Sequence, residues 1–146
     1  MEYRKSVAIA AEPGRVWEVV SDVERWPEQI STYVEVRRLD DGALRVGSRA
    51  HVKQKGLAAS DWEVTELVEG STFTWADRRP GVHTVGRHTV TPEADGGARL
   101  TLVLEQSGWL SGVVGALLGR RIRAYVDLEA EALKRWAERG AEPASG

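Results

Sequence analysis

Arg121, Tyr125 and Glu129 stand four positions apart, so they climb one face of any helix that contains them. A guanidinium, a phenol and a carboxylate in that order could hold an anionic or carbonyl oxygen and donate a hydrogen bond to it. The three sit within an apolar pattern: Arg121 falls beside Leu117 and Leu128 on the helical wheel, and Glu129 between Ile122 and Trp136. A charge in a buried stripe needs a partner or a polar ligand. One reading places Arg121, Tyr125 and Glu129 on a cavity wall, with Leu117 and Leu128 as its apolar surface. The other lets the Arg121 stem snorkel to the helix edge and pairs Glu129 with a surface base.

Among the three histidines, His51, His83 and His88, only His88 is expected to point inward. Val82, Thr84, Gly86, His88 and Val90 share one face of a strand by alternation. That makes His88 the candidate general acid or base, against the plainer reading of a hydrogen-bonded structural residue. No His spacing or acidic frame suits a metal, so none is expected. The chain has no Cys, no Ser in a nucleophile-elbow context and no phosphate-cradling Gly loop. Neither a metal nor a nucleotide cofactor is expected.

These groups need elements to position them. A strand over Ser6 to Ala11 leads into two short helices, the first opened by Pro13 and broken near Ser21-Asp22, the second stopped by Pro27. Strand patterns follow over Tyr33 to Leu39, Leu44 to Gln54, Asp61 to Val68, Thr72 to Asp77, Val82 to Thr91 and Arg99 to Gln106. Turn chemistry separates them at Asp40-Asp41-Gly42, Glu69-Gly70, Arg79-Pro80-Gly81 and Ala94 to Gly97. Without strand–helix alternation a parallel sheet is not expected. Leu100, Leu102 and Leu104 share the side that faces a long final helix, from Ser111 or Gly112 to Arg139 with Gly140 as its stop. Trp62 with Val64, and Phe73 with Trp75, make similar apolar pairs on their strands.

At 146 residues the chain suits one domain with a substantial core, expected over 1–140 with a flexible tail at 141–146. A formal charge of −2 gives no reason to expect nucleic acid. The N-terminus lacks a signal-peptide core, and the longest apolar run, Trp109 to Leu118, is about half of what spans a bilayer. A cytoplasmic location without stable membrane insertion is the expectation. Six Trp against one Phe favour large rings with a polar handle, useful as core filler and as cavity lining.

The order of motifs adds a resemblance. An apolar strand, then Ala11-Glu12-Pro13, Val16-Trp17, Asp22 and Trp26-Pro27, is similar to the opening of the START or Bet v 1-like (SRPBCC) superfamily, in its polyketide cyclase/dehydrase-like branch. Gly47-Ser48, Trp62 to Glu66, Phe73-Thr74-Trp75 and Gly96 to Leu102 follow in the same order, so the resemblance covers essentially the whole chain. It implies an α+β helix-grip fold: a curved antiparallel sheet of about seven strands around a long C-terminal helix, with a ligand cavity between them. It also implies that Tyr33, after the Trp-Pro turn, lines the pocket. A pocket Arg on a middle strand is part of that pattern, but the comparable segment here, Ser60 to Glu63, has none; Arg121 is the candidate substitute.

The expected function is binding of a hydrophobic or aromatic small molecule, polyketide- or lipid-like, with cyclisation or dehydration chemistry as an enzymatic form. The alternative is a non-catalytic carrier or ligand sensor. Arg121, His88 and Tyr33 are the candidate catalytic groups. Trp62, Trp75, Leu102, Leu117, Tyr125, Leu128 and Glu129 are the candidate ligand contacts. A third reading is an interaction module, with Trp109-Leu110 and Leu57 as exposed contacts to an acyl carrier protein, a membrane surface or a partner; a second copy of the chain is also a candidate partner.

Overall fold

The computed structural model describes residues 1–140; the expected tail at 141–146 lies outside the described residues. Strand β1 (Glu2–Ile9) is followed by helix α1 (Pro13–Val20), a 3-10 turn (Val23–Arg25) and helix α2 (Trp26–Gln29). Then come β2 (Tyr33–Arg38), β3 (Arg49–Gln54), β4 (Ser60–Val68), β5 (Thr72–Arg79), β6 (Val82–Pro92), β7 (Ala98–Ser107) and helix α3 (Ser111–Gly140). All seven strands form one antiparallel sheet in the order β1-β7-β6-β5-β4-β3-β2, curled around α3. This is the helix-grip arrangement that the resemblance implies.

The two edges of the sheet, β1 and β2, are neighbours in sequence. The segment between them must therefore cross the whole sheet, and the short helices are that crossing. α1 buries Val16, Trp17, Val19 and Val20. Pro27 opens α2 rather than stopping a helix, which corrects the expectation; in a first turn its missing N–H would have had no helical partner. Trp26, the first residue of α2, is fully buried at the centre of the aromatic core. Its ring packs edge-on against Tyr33 at 5.3 Å and Trp75 at 5.4 Å, and tilts over His88 at 5.5 Å.

A second difference concerns β3, which begins at Arg49 and not near Leu44. Polar side chains hold the preceding residues in a loop. Asp40 accepts hydrogen bonds from Ser48 Oγ and Arg38 Nη2, both at 2.9 Å, and from the Arg49 amide at 3.2 Å. These contacts compete with strand pairing. At the far end of the molecule Arg15 reaches the final carbonyls of α3, donating to Trp136 O and Ala137 O at 3.3 Å each. A cation there is favoured by the negative end of the helix dipole.

The pairing of β5 with β6 and of β6 with β7 sets the inner face. Trp75 lies opposite Gly86, Phe73 opposite His88, His88 opposite Leu102, and Thr84 opposite Gln106. Alternation then turns Thr84, Gly86, His88 and Val90 into the interior together.

Candidate functional site

The sheet and α3 enclose a cavity of about 260 Å³, just under the usual range for small-molecule pockets. Its floor is buried and formed by Tyr33, Trp75, His88, Leu102 and Glu129. Its rim is partly exposed and includes Leu57 and Ala58 from the β3–β4 loop, Arg79, and Val114 and Leu118 of α3. Trp62 extends the wall from β4 and tilts against Trp75 at 5.7 Å.

Three polar side chains from three elements converge on the floor. Tyr33 on β2 donates from Oη to Glu129 Oε1 of α3 at 2.7 Å. His88 on β6 lies with Nε2 3.4 Å from Glu129 Oε2 and Nδ1 3.2 Å from Phe73 O. Its ring stacks on Phe73 at 4.2 Å with an angle of 14° between planes. A carbonyl can only accept, so Nδ1 carries a proton. Nε2 is then the ring nitrogen that faces Glu129 Oε2, at 3.4 Å. Burial, followed by the charge of Glu129 and the hydrogen bond to it, pushes the Tyr33 phenol well above its ordinary value. Tyr33 is therefore a fixed donor to Glu129.

Apolar and aromatic surface surrounds that pair on the side open to the cavity. Such a site suits a ligand with a flat or flexible hydrocarbon body and one or more oxygens at its inner end. Asp77 and Arg79 add an ion pair with a 3.0 Å contact towards the rim. Gln106 and Thr84 add neutral polar groups on the wall, joined at 3.4 Å. Among the described residues no cluster of three His, Asp or Glu side chains is placed to hold a metal ion.

Seven of the ten sequence candidates are brought together here: Tyr33, Trp62, Trp75, His88, Leu102, Tyr125 and Glu129 all line the cavity. Arg121, Leu117 and Leu128 do not. Val114, Leu118, Ile122, Tyr125 and Glu129 set the inner face of α3, and at ~100° per residue Arg121, Leu128 and Leu117 lie about 60°, 80° and 100° from its centre. Leu117 is 77% exposed and Leu128 46%. Arg121 donates to Gly56 O at 3.3 Å on the outside of the β3–β4 loop.

That loop is held by four successive carbonyls. Lys55 O accepts from Tyr125 Oη at 2.6 Å, Gly56 O from Arg121, Leu57 O from Lys53 Nζ, and Ala58 O from Arg79 Nη2 at 2.9 Å. Tyr125 thus lines the cavity with its ring while its hydroxyl pins the rim. Arg79 went unnoticed in the sequence because Arg79-Pro80-Gly81 reads as a turn. The alternation of Phe73, Trp75, Asp77 and Arg79 carries the signal that would have placed it on the inner face.

The chain is similar to solved structures over nearly its whole length. The ZhuI aromatase/cyclase of Streptomyces sp. R1128 superposes with a TM-score of 0.80 at 18% identity, covering 100% of this chain and 98% of that one. The di-domain aromatase/cyclase StfQ of the steffimycin pathway gives 0.78 at 13% identity, over 96% of this chain and 51% of its own length. Ara h 8.0201 gives 0.73 at 10% identity, over 94% and 97%. At these identities the likeness is one of fold. No curated protein sequence matches. A family model described as "Polyketide cyclase / dehydrase and lipid transport" matches residues 1–138. The grip of the sheet on α3, the Trp-Pro crossing that backs the cavity and this match through nearly all of α3 agree, and the chain belongs to the polyketide cyclase/dehydrase and lipid transport family.

Proposed function

We propose that the cavity binds a hydrophobic, oxygenated small molecule of polyketide type and that the Glu129–His88 pair moves a proton on it, promoting cyclisation or dehydration. The observation that carries this reading is the 3.4 Å approach of His88 Nε2 to Glu129 Oε2 at the buried floor of a largely apolar cavity. In an aldol closure the basic member of the pair takes a proton from a carbon flanked by carbonyls. The carbanion attacks a second carbonyl carbon of the same chain, and the new alkoxide takes the proton back. In dehydration the pair takes an α-proton and delivers a proton to the departing hydroxyl, which leaves as water. Neither sequence consumes an oxidant or a reductant. Enclosure holds a flexible chain with its reacting carbons close, which supplies much of the rate, and Tyr33 keeps the carboxylate oriented.

The test is turnover of a linear poly-β-ketone thioester mimic by the native chain, Glu129→Gln and His88→Gln. Loss of a general acid or base is expected to cost about 10²–10⁴-fold in rate, with ligand affinity changed by only a few-fold. A carrier is the rival, favoured by the lock on His88 between Phe73 O and the Phe73 ring, which suits a residue that only orients a ligand. In that case no variant changes turnover, because there is none, and Glu129→Gln changes affinity alone.

A further inference from the structure

The N-terminal half of α3 carries apolar side chains on two faces. One face lines the cavity through Val114, Leu118 and Ile122. The other is turned to solvent: Leu117 is 77% exposed and Val113 53%, and Trp109, just before the helix, is 81% exposed. The backbone makes this display possible at Gly81, whose φ of +83° and missing side chain let Trp109 and Leu110 pack over the β5–β6 turn. A Cβ at Gly81 would lie 2.7 Å from Leu110 Cδ1. Exposed apolar side chains scattered singly need no explanation, but a contiguous group on one helix flank marks a surface that is covered in use.

Charge says what covers it. From Ser107 to Val126 the chain has three basic residues, Arg120, Arg121 and Arg123, and no acidic one, although the whole protein is formally −2. Arg120 and Arg121 are exposed and flank Leu117 on the wheel. The next carboxylate, Asp127, lies about two helical turns beyond Arg120 and accepts from Tyr3 Oη at 2.7 Å. An exposed Trp, an apolar flank and the exposed Arg120 and Arg121 fit the boundary between anionic headgroups and acyl chains. A symmetric contact with a second copy would bring Arg120 and Arg121 against their own kind, which disfavours it. No helix among the described residues is long and apolar enough to cross a membrane, so contact would be from one side.

We propose that Trp109, Val113, Leu117 and Arg120 form a docking surface for an anionic lipid bilayer. Val114 and Leu118, each one residue from the docking flank, line the rim of the cavity. Docking therefore brings the cavity rim to the lipid surface, and a hydrophobic ligand can pass between them with little exposure to water. That consequence rests on the cavity being a ligand site; the docking itself does not.

Flotation of the full chain with vesicles tests it. Recovery is expected with vesicles of equal parts phosphatidylcholine and phosphatidylglycerol, not with phosphatidylcholine alone, and is lost at high salt as screening removes the arginine contribution. Leu117→Ser and Arg120→Glu each lower partitioning roughly tenfold or more. Their thermal melts stay unchanged because both side chains are exposed. The blue shift of Trp emission on binding shrinks in Trp109→Phe. Absence of flotation with either vesicle overturns the proposal. So does flotation that neither variant weakens, a native dimer that Leu117→Ser dissociates, or capture of an acidic carrier domain without flotation. Ligand binding that persists while flotation fails overturns docking alone; flotation without any cavity ligand overturns the container reading alone.

Discussion

Glu129 is the residue on which the site turns, because it meets Tyr33 with one oxygen and His88 with the other. Its place was legible in the sequence: a carboxylate between Ile122 and Trp136 on the wheel is an anomaly that a buried partner explains. His88 was legible by alternation, although nothing in the sequence paired it with Glu129, 41 positions away. Only the fold makes that contact. The protonation of Tyr33 gives a prediction with a definite sign. Its phenol is raised in the folded state, so its stabilising contribution is complete below the ordinary Tyr value of about 10 and is lost as pH rises past it. Thermal melts across alkaline pH should therefore fall above about pH 10, and less steeply in Tyr33→Phe. At neutral pH the same variant should lose about 1.5–3 kcal/mol, the scale of a hydrogen bond to a charged group.

At the scale of elements, α3 shows why Arg121, Leu117 and Leu128 were placed in the site by sequence reasoning. The helix has apolar residues on both its cavity face and its outer flank, so periodicity gives a broad stripe without marking its centre. Only the packing of Ala130, Leu133 and Ala137 against the sheet and α1 fixes the rotation. The strands were easier, since their inner faces follow a period of two, and Arg79 was missed only where a turn dipeptide masked the alternation. The β3–β4 loop is a consequence of both. Its four carbonyls are held by side chains from α3, β3 and β5. Tyr125→Phe should lower global stability by no more than about 1 kcal/mol. It should nevertheless speed amide hydrogen exchange at residues 55–59 and the release of a cavity ligand, while exchange in β6 and β7 stays as it was.

For the whole molecule, the crossing from β1 to β2 is the feature that joins stability to the site. Trp26 belongs to the motif that carried the family resemblance, and its ring touches Tyr33, Trp75, Phe73 and His88. It buttresses the floor of the cavity without being among the residues that line it. Trp26→Ala should cost about 3–5 kcal/mol in denaturant unfolding, because the buried volume cannot close around a rigid aromatic cluster. Trp26→Phe should recover much of that. The architecture was legible because seven strands, two short helices and one long helix in that order leave few folds to choose from. Polar residues in the α3 stripe and the excess of Trp hinted at a cavity and the resemblance implied one, but no local pattern reports the volume that side chains leave empty.

The central claim is that this cavity, with Glu129 and His88 at its floor, is where a hydrophobic oxygenated molecule sits. The most direct measurement is an amide and indole NMR titration of the full chain with a soluble hydroxylated polycyclic aromatic. Saturable shifts at the Trp62 and Trp75 indoles and at the amides of Tyr33, His88 and Glu129, with Leu128 unmoved, are the expected result. Shifts confined to Trp109 and the outer flank of α3, or none across a panel of such compounds, would contradict it.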